Sequence, residues 1–89
     1  MNTLQALRKE FKAYGKTDIV YDVYSDRVNF YGFNNENLYF NFFTTVRGCL
    51  IDQDRSGYSI SRTDAEKLDI PMDKDAYVVS CKDLRKKGF

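Results

Sequence analysis

The sequence predicts an α+β domain, 1–89: an N-terminal helix packed on an antiparallel sheet of four to six strands, with a short second helix near 63–69. Three observations lead there. Leu4, Leu7, Phe11 and Tyr14 are spaced 3, 4 and 3, so they share one face of a helix. Four segments then alternate apolar and polar residues at a period of two: 18–24, 27–33, 37–45 and 58–62. Short polar turns separate most of them, as in an antiparallel meander. Finally, Thr63-Asp64-Ala65-Glu66 has the form of a capping box, which opens a helix.

In chain order, the first helix is expected over 3–14. Asn2 or Thr3 can accept its first amide hydrogens, and Gly15 can end it in a left-handed conformation. So short a helix is marginal alone in water, so its apolar stripe must pack on the sheet. Ile19, Tyr21 and Val23 alternate with Asp18 and Asp22, Ser25-Asp26 reads as a turn, and Val28 and Phe30 alternate with Arg27 and Asn29.

The run 37–45 carries the strongest alternation. Leu38, Phe40 and Phe42 are set against Asn37, Tyr39 and Asn41, with Gly48 as the break that follows. Residues 52–57 read as a turn, 58–62 as a strand, and 63–69 as a helix that stops before Pro71. The stretch 76–81 is nearly continuous in apolar character, which suits a central strand. The core expected from these assignments is Leu4, Leu7, Phe11, Ile19, Val23, Val28, Phe30, Leu38, Phe40, Phe42, Leu50, Ile60, Leu68, Val78 and Val79.

Composition narrows the function. Seven Phe and seven Tyr supply much of the core volume, and 43% apolar content argues against disorder. No run approaches the length of a membrane span, and the N-terminus has no apolar signal region, so a cytoplasmic location is expected. Cys49 and Cys81 lack metal-ligand spacing and are expected as small buried apolar side chains. The net charge of +1 hides a pattern. Arg8, Lys9, Lys12 and Lys16 face only Glu10 at one end, and residues 82–89 are basic at the other. Two interior blocks, 17–37 and 63–81, are acidic.

Catalysis is not expected. The chain has no histidine, so Ser-His and Cys-His arrangements within one subunit are excluded. Asp52-Gln53-Asp54-Arg55-Ser56-Gly57 matches the first half of a calcium loop, but Thr63 stands where the bidentate carboxylate belongs. A hairpin turn is the expectation there, and no cofactor or metal is implied.

Binding is the remaining class. Tyr24, Tyr31, Phe33, Tyr39 and Phe43 all fall on the strand face opposite the best apolar alternation. A sheet face of Tyr and Phe among Asn and Arg has the composition of an interface core. The expected function is therefore a small non-enzymatic protein-binding module of adaptor or inhibitor type, acting through that face or a sheet edge, with self-association on the same surfaces. The alternative is a nucleic-acid-binding protein. In that reading the aromatics stack bases while Arg8, Lys12, Arg85 and Lys86 hold phosphates.

Overall fold

Helix α1 (Thr3–Ala13) leads into a hairpin of β1 (Ile19–Val23) and β2 (Arg27–Tyr31). Helix α2 (Glu36–Asn41) follows and runs on as a π-helical segment, Phe42–Val46. A second hairpin, β3 (Ile51–Asp54) and β4 (Gly57–Ser61), passes straight into α3 (Arg62–Lys67), and β5 (Ala76–Val79) comes last. The structure, a computed structural model, describes residues 3–15, 18–31, 36–54 and 57–79. The expected α+β fold is present: the five strands form one antiparallel sheet in the order β3-β4-β2-β1-β5, with the N-terminal helix packed on it and the short helix after β4. Among the described residues, no helix is long and apolar enough to cross a membrane.

Local chemistry accounts for most of these elements. Leu7 and Phe11 are buried on the inner stripe of α1, and Gly15 closes it at a positive φ. Tyr14, expected on that stripe, lies one turn too far and is exposed. The amide of Tyr24 donates to the carbonyl of Arg27 at 2.8 Å, which closes the Ser25-Asp26 turn. The cap of α3 is Ser61, whose hydroxyl accepts from the Asp64 amide at 3.1 Å. The cap thus lies two residues before the Thr63 expected in that role. Of the turn expected over 52–57, residues 52–54 belong instead to β3, which pairs antiparallel with β4 so that Asp54 lies opposite Gly57; residues 55–56 fall outside the described residues.

The run 37–45 is not a strand. It is the helical segment of α2 and its π-helical extension, with Gly48 at positive φ just beyond it. Tyr39, Phe42, Phe43 and Val46 also recur at helical spacing, and winding the chain turns Tyr39, Phe42 and Phe43 inward together. An extended chain would bury Phe42 and leave Tyr39 and Phe43 on the opposite face. The position beside β2 is taken instead by β4, so no sheet edge there needs the segment. Phe40, expected in the core, is 41% exposed as a result.

The core is a relay of aromatic rings. Phe11 stacks obliquely on Tyr39 (4.8 Å between centroids), Tyr39 on Phe30 (5.3 Å), and Phe30 on both Phe43 (4.8 Å) and Tyr21 (5.2 Å). It links α1, α2, the π-helical segment and the sheet. Two further expectations of burial fail. Among the described residues, strand β5 pairs only with β1 and lies at the sheet edge rather than its centre, with Val78 64% exposed. Leu50, just before β3, is exposed as well. Cys49 is half-buried against the core, whereas Cys81 falls outside the described residues.

Candidate functional site

Register sorts the side chains of the sheet into two faces. Pairs Tyr21↔Phe30, Phe30↔Tyr58 and Val28↔Ile60 lie on the face that meets the helices. Every sheet residue in the buried apolar cluster belongs to it. Pairs Val20↔Tyr31, Asp22↔Asn29, Asn29↔Ser59 and Asp52↔Ser59 lie on the other face, together with Val78. Of the helices' side chains, all those in the buried cluster pack on the first face. Among the described residues, none of the buried apolar cluster lies on the second face, termed the open face below.

At the turn end of β1–β2, Tyr24 is 40% exposed and the Arg27 guanidinium carbon lies 4.7 Å from its ring centroid. The same guanidinium meets the Asp26 carboxylate at 3.2 Å, an exposed pair of little energetic weight. Arg62 donates to the Tyr24 carbonyl at 3.0 Å, which fixes this corner to α3.

Further along, the Tyr31 hydroxyl donates to the Asp22 carboxylate at 3.0 Å. Burial pushes this hydroxyl above the ordinary tyrosine range; the Asn29 hydrogen bond works against the shift, and those of Tyr24 and Asp22 work with it. Tyr24, Asn29, Tyr31 and Asp22 therefore form one polar and aromatic patch, joined by the Tyr31–Asp22 hydrogen bond. Beneath it the Asn29 side-chain oxygen is buried with no hydrogen-bond partner among the described residues, while Ser59 is buried opposite. Beyond Ser59, a shallow depression of about 360 Å³ is lined by Asp26, Arg27, Asp52, Ser61 and Asp64, with Leu50 at its rim.

The residues singled out in the sequence divide sharply. Tyr24 and Tyr31 do share the open face. Tyr39 and Phe43 do not: both are fully buried, because the segment that carries them is helical. Arg8 is half-buried on α1 and Lys12 is exposed there, so the structure does not bring these cations to the aromatic patch. Phe33, Arg85 and Lys86 fall outside the described residues. Sequence reasoning missed Arg27, Asn29, Asp22 and Ser59 as members of the patch. Each occupies a polar position of an alternating segment, which was the available signal.

No family model, curated protein or solved structure matches the chain.

Proposed function

We propose that the protein is a non-enzymatic binding module that engages another protein through the open face of its sheet, in the manner of an adaptor or inhibitor. The observation that carries this reading is the patch of Tyr24, Arg27, Asn29 and Tyr31 on the sheet face opposite the helices. Tyrosine and arginine are the side chains that most often anchor protein interfaces, because each buries a large surface while keeping a polar end.

Charge favours a protein over a nucleic acid on this face. Asp22, Asp26 and Asp52 lie on or beside it with Arg27, whereas Arg8 and Lys12 are carried by α1, whose buried residues meet the opposite face. Phosphate binding requires cations where the bases stack.

Affinity capture from the native cell, comparing the intact chain with a Tyr24→Ala/Arg27→Ala variant, tests the reading. A captured protein that the variant loses, and that Lys12→Ala retains, supports it. Salt-sensitive retardation of DNA or RNA by the intact chain, weakened in Lys12→Ala, would replace it with the nucleic-acid reading.

A further inference from the structure

Strand β4 carries small side chains where it crosses the open face. Ser59 and Ser61 lie between Arg27 and Asn29 of β2 on one side and Asp52 of β3 on the other. Two serines between larger neighbours leave the shallow depression of about 360 Å³. Asp26 and Arg27 line its β2 side, Asp52 and Leu50 its β3 side, and α3 contributes Asp64.

Charge in this depression is unbalanced. Its lining holds three carboxylates, Asp26, Asp52 and Asp64, and one cation, Arg27. The Arg27 guanidinium already meets the Asp26 carboxylate at 3.2 Å and lies over the Tyr24 ring. Two carboxylates are therefore in excess. Among the described residues, no ion pair engages Asp52 or Asp64. The neighbouring Arg62 is turned instead to Glu66 and to the Tyr24 carbonyl.

Two further observations point to what enters. The Asn29 side chain faces Ser59 on the same side of the sheet and is only 4% exposed. Its oxygen has no hydrogen-bond partner among the described residues, so an acceptor beside the floor lacks a donor. Leu50 is 90% exposed at the rim, an apolar surface next to the carboxylates. An arginine side chain matches this combination. Its aliphatic stem suits Leu50, and its planar, permanently charged fork of five donors suits carboxylates set among hydroxyls. Lysine brings fewer donors on a more strongly hydrated charge.

We propose that the depression along β4 is a docking seat for an arginine side chain presented by the protein partner, with Asp52 and Asp64 as its counter-charges. The inference rests on the open-face reading and names the chemistry that the partner brings to it.

NMR titration of the labelled full chain with tetra-arginine amide tests it, with tetra-lysine and tetra-citrulline amides as comparators. The expected result is saturable shifts in the amides of Asp52, Ser59, Ser61 and Asp64 and in the Asn29 side-chain amide. This map needs no substitution. The dissociation constant should rise roughly fivefold or more in Asp52→Asn/Asp64→Asn and for the citrulline peptide. Asp69→Asn, outside the depression, should leave it unchanged. Absence of saturation up to about 10 mM tetra-arginine overturns the proposal. So do shifts spread evenly over Glu10, Asp69 and Asp73, the mark of diffuse attraction, and so does equal affinity for tetra-lysine. Protein capture lost in Tyr24→Ala/Arg27→Ala but undiminished in Asp52→Asn/Asp64→Asn would sink this inference and leave the open-face reading standing.

Discussion

The hydroxyl of Tyr39 donates to the main-chain carbonyl of Tyr31 at 2.8 Å, and the same oxygen accepts from the Val20 amide at 3.3 Å. Val20 and Tyr31 are opposite one another at the end of the β1–β2 ladder. A helical side chain therefore secures the last rung of the central hairpin. Tyr39→Phe keeps the ring in the aromatic relay and removes both bonds, and should cost about 1–3 kcal/mol by chemical denaturation. Exchange of the Val20 amide should accelerate in the variant more than that of Val28. Unchanged exchange at Val20 would show that the hydroxyl does not hold the rung.

Gly57 opens β4 at a φ of +146°, and a Cβ built there would collide with the Phe30 carbonyl oxygen. The obstacle is backbone of the neighbouring strand, which cannot swing aside. Gly57→Ala is expected to lose about 2–4 kcal/mol, combining left-handed strain with displacement of the β2–β4 ladder. Gly48→Ala, where the added carbon meets nothing, should lose clearly less although its φ is also positive. Thermal unfolding of the two variants side by side makes the comparison.

Alkaline pH should destabilise the fold through Tyr21. Its hydroxyl donates to the Pro71 carbonyl at 3.0 Å and its ring stacks on Tyr77 at 4.6 Å. Burial, then the charges of Tyr77 and Asp73, push its pKa up. A raised folded-state pKa means the native chain holds this proton more tightly than the unfolded chain. The associated stability is fully present below the unfolded value of about 10 and is lost as pH climbs from there toward the folded value. Urea midpoints should fall above about pH 10, and the fall should be shallower in Tyr21→Phe. Absorbance titration of tyrosinate should show one group ionising only with unfolding.

Asn29→Val should separate stability from binding. The native side chain leaves a buried oxygen without a partner among the described residues, and its replacement removes the polar neighbour that opposes the rise of the Tyr31 hydroxyl. These effects oppose, so stability should stay within about 1 kcal/mol of the parent. Capture of the proposed protein partner should weaken, because the exchange alters the surroundings of the Tyr31 hydroxyl on the open face. A variant that binds undiminished would remove Asn29 from the interface.

Where the sequence had one dominant period, it was readable. Leu7 and Phe11 repeat only at helical spacing, and the β1 and β2 residues alternate with little competition. In 37–45 two periods coexist: Leu38, Phe40 and Phe42 at two, and Tyr39, Phe42, Phe43 and Val46 at three and four. Nothing local chooses between them. The choice is made by burial of the larger set of rings and by β4 taking the place beside β2. The candidate face was legible for the same reason as the strands, and Tyr24 and Tyr31 were found by alternation alone. Tyr39 and Phe43 were misplaced because their face was inferred from a strand that does not exist. Strand β5 was misplaced differently: its apolar run resembles an interior strand, and composition does not reveal that a strand is terminal in the sheet order.

Tyr31 is tied from both sides of the sheet. Its carbonyl is gripped from the core by Tyr39, and its hydroxyl is held on the open face by Asp22. Tyr24 is likewise fixed by Arg62 at its backbone and by Arg27 over its ring. Side chains anchored in this way have surrendered much of their rotational freedom during folding. The entropy usually lost when an interface forms, roughly 0.5–1.5 kcal/mol for each mobile side chain, has therefore largely been spent before any partner arrives. Such a surface gains affinity from readiness rather than from area.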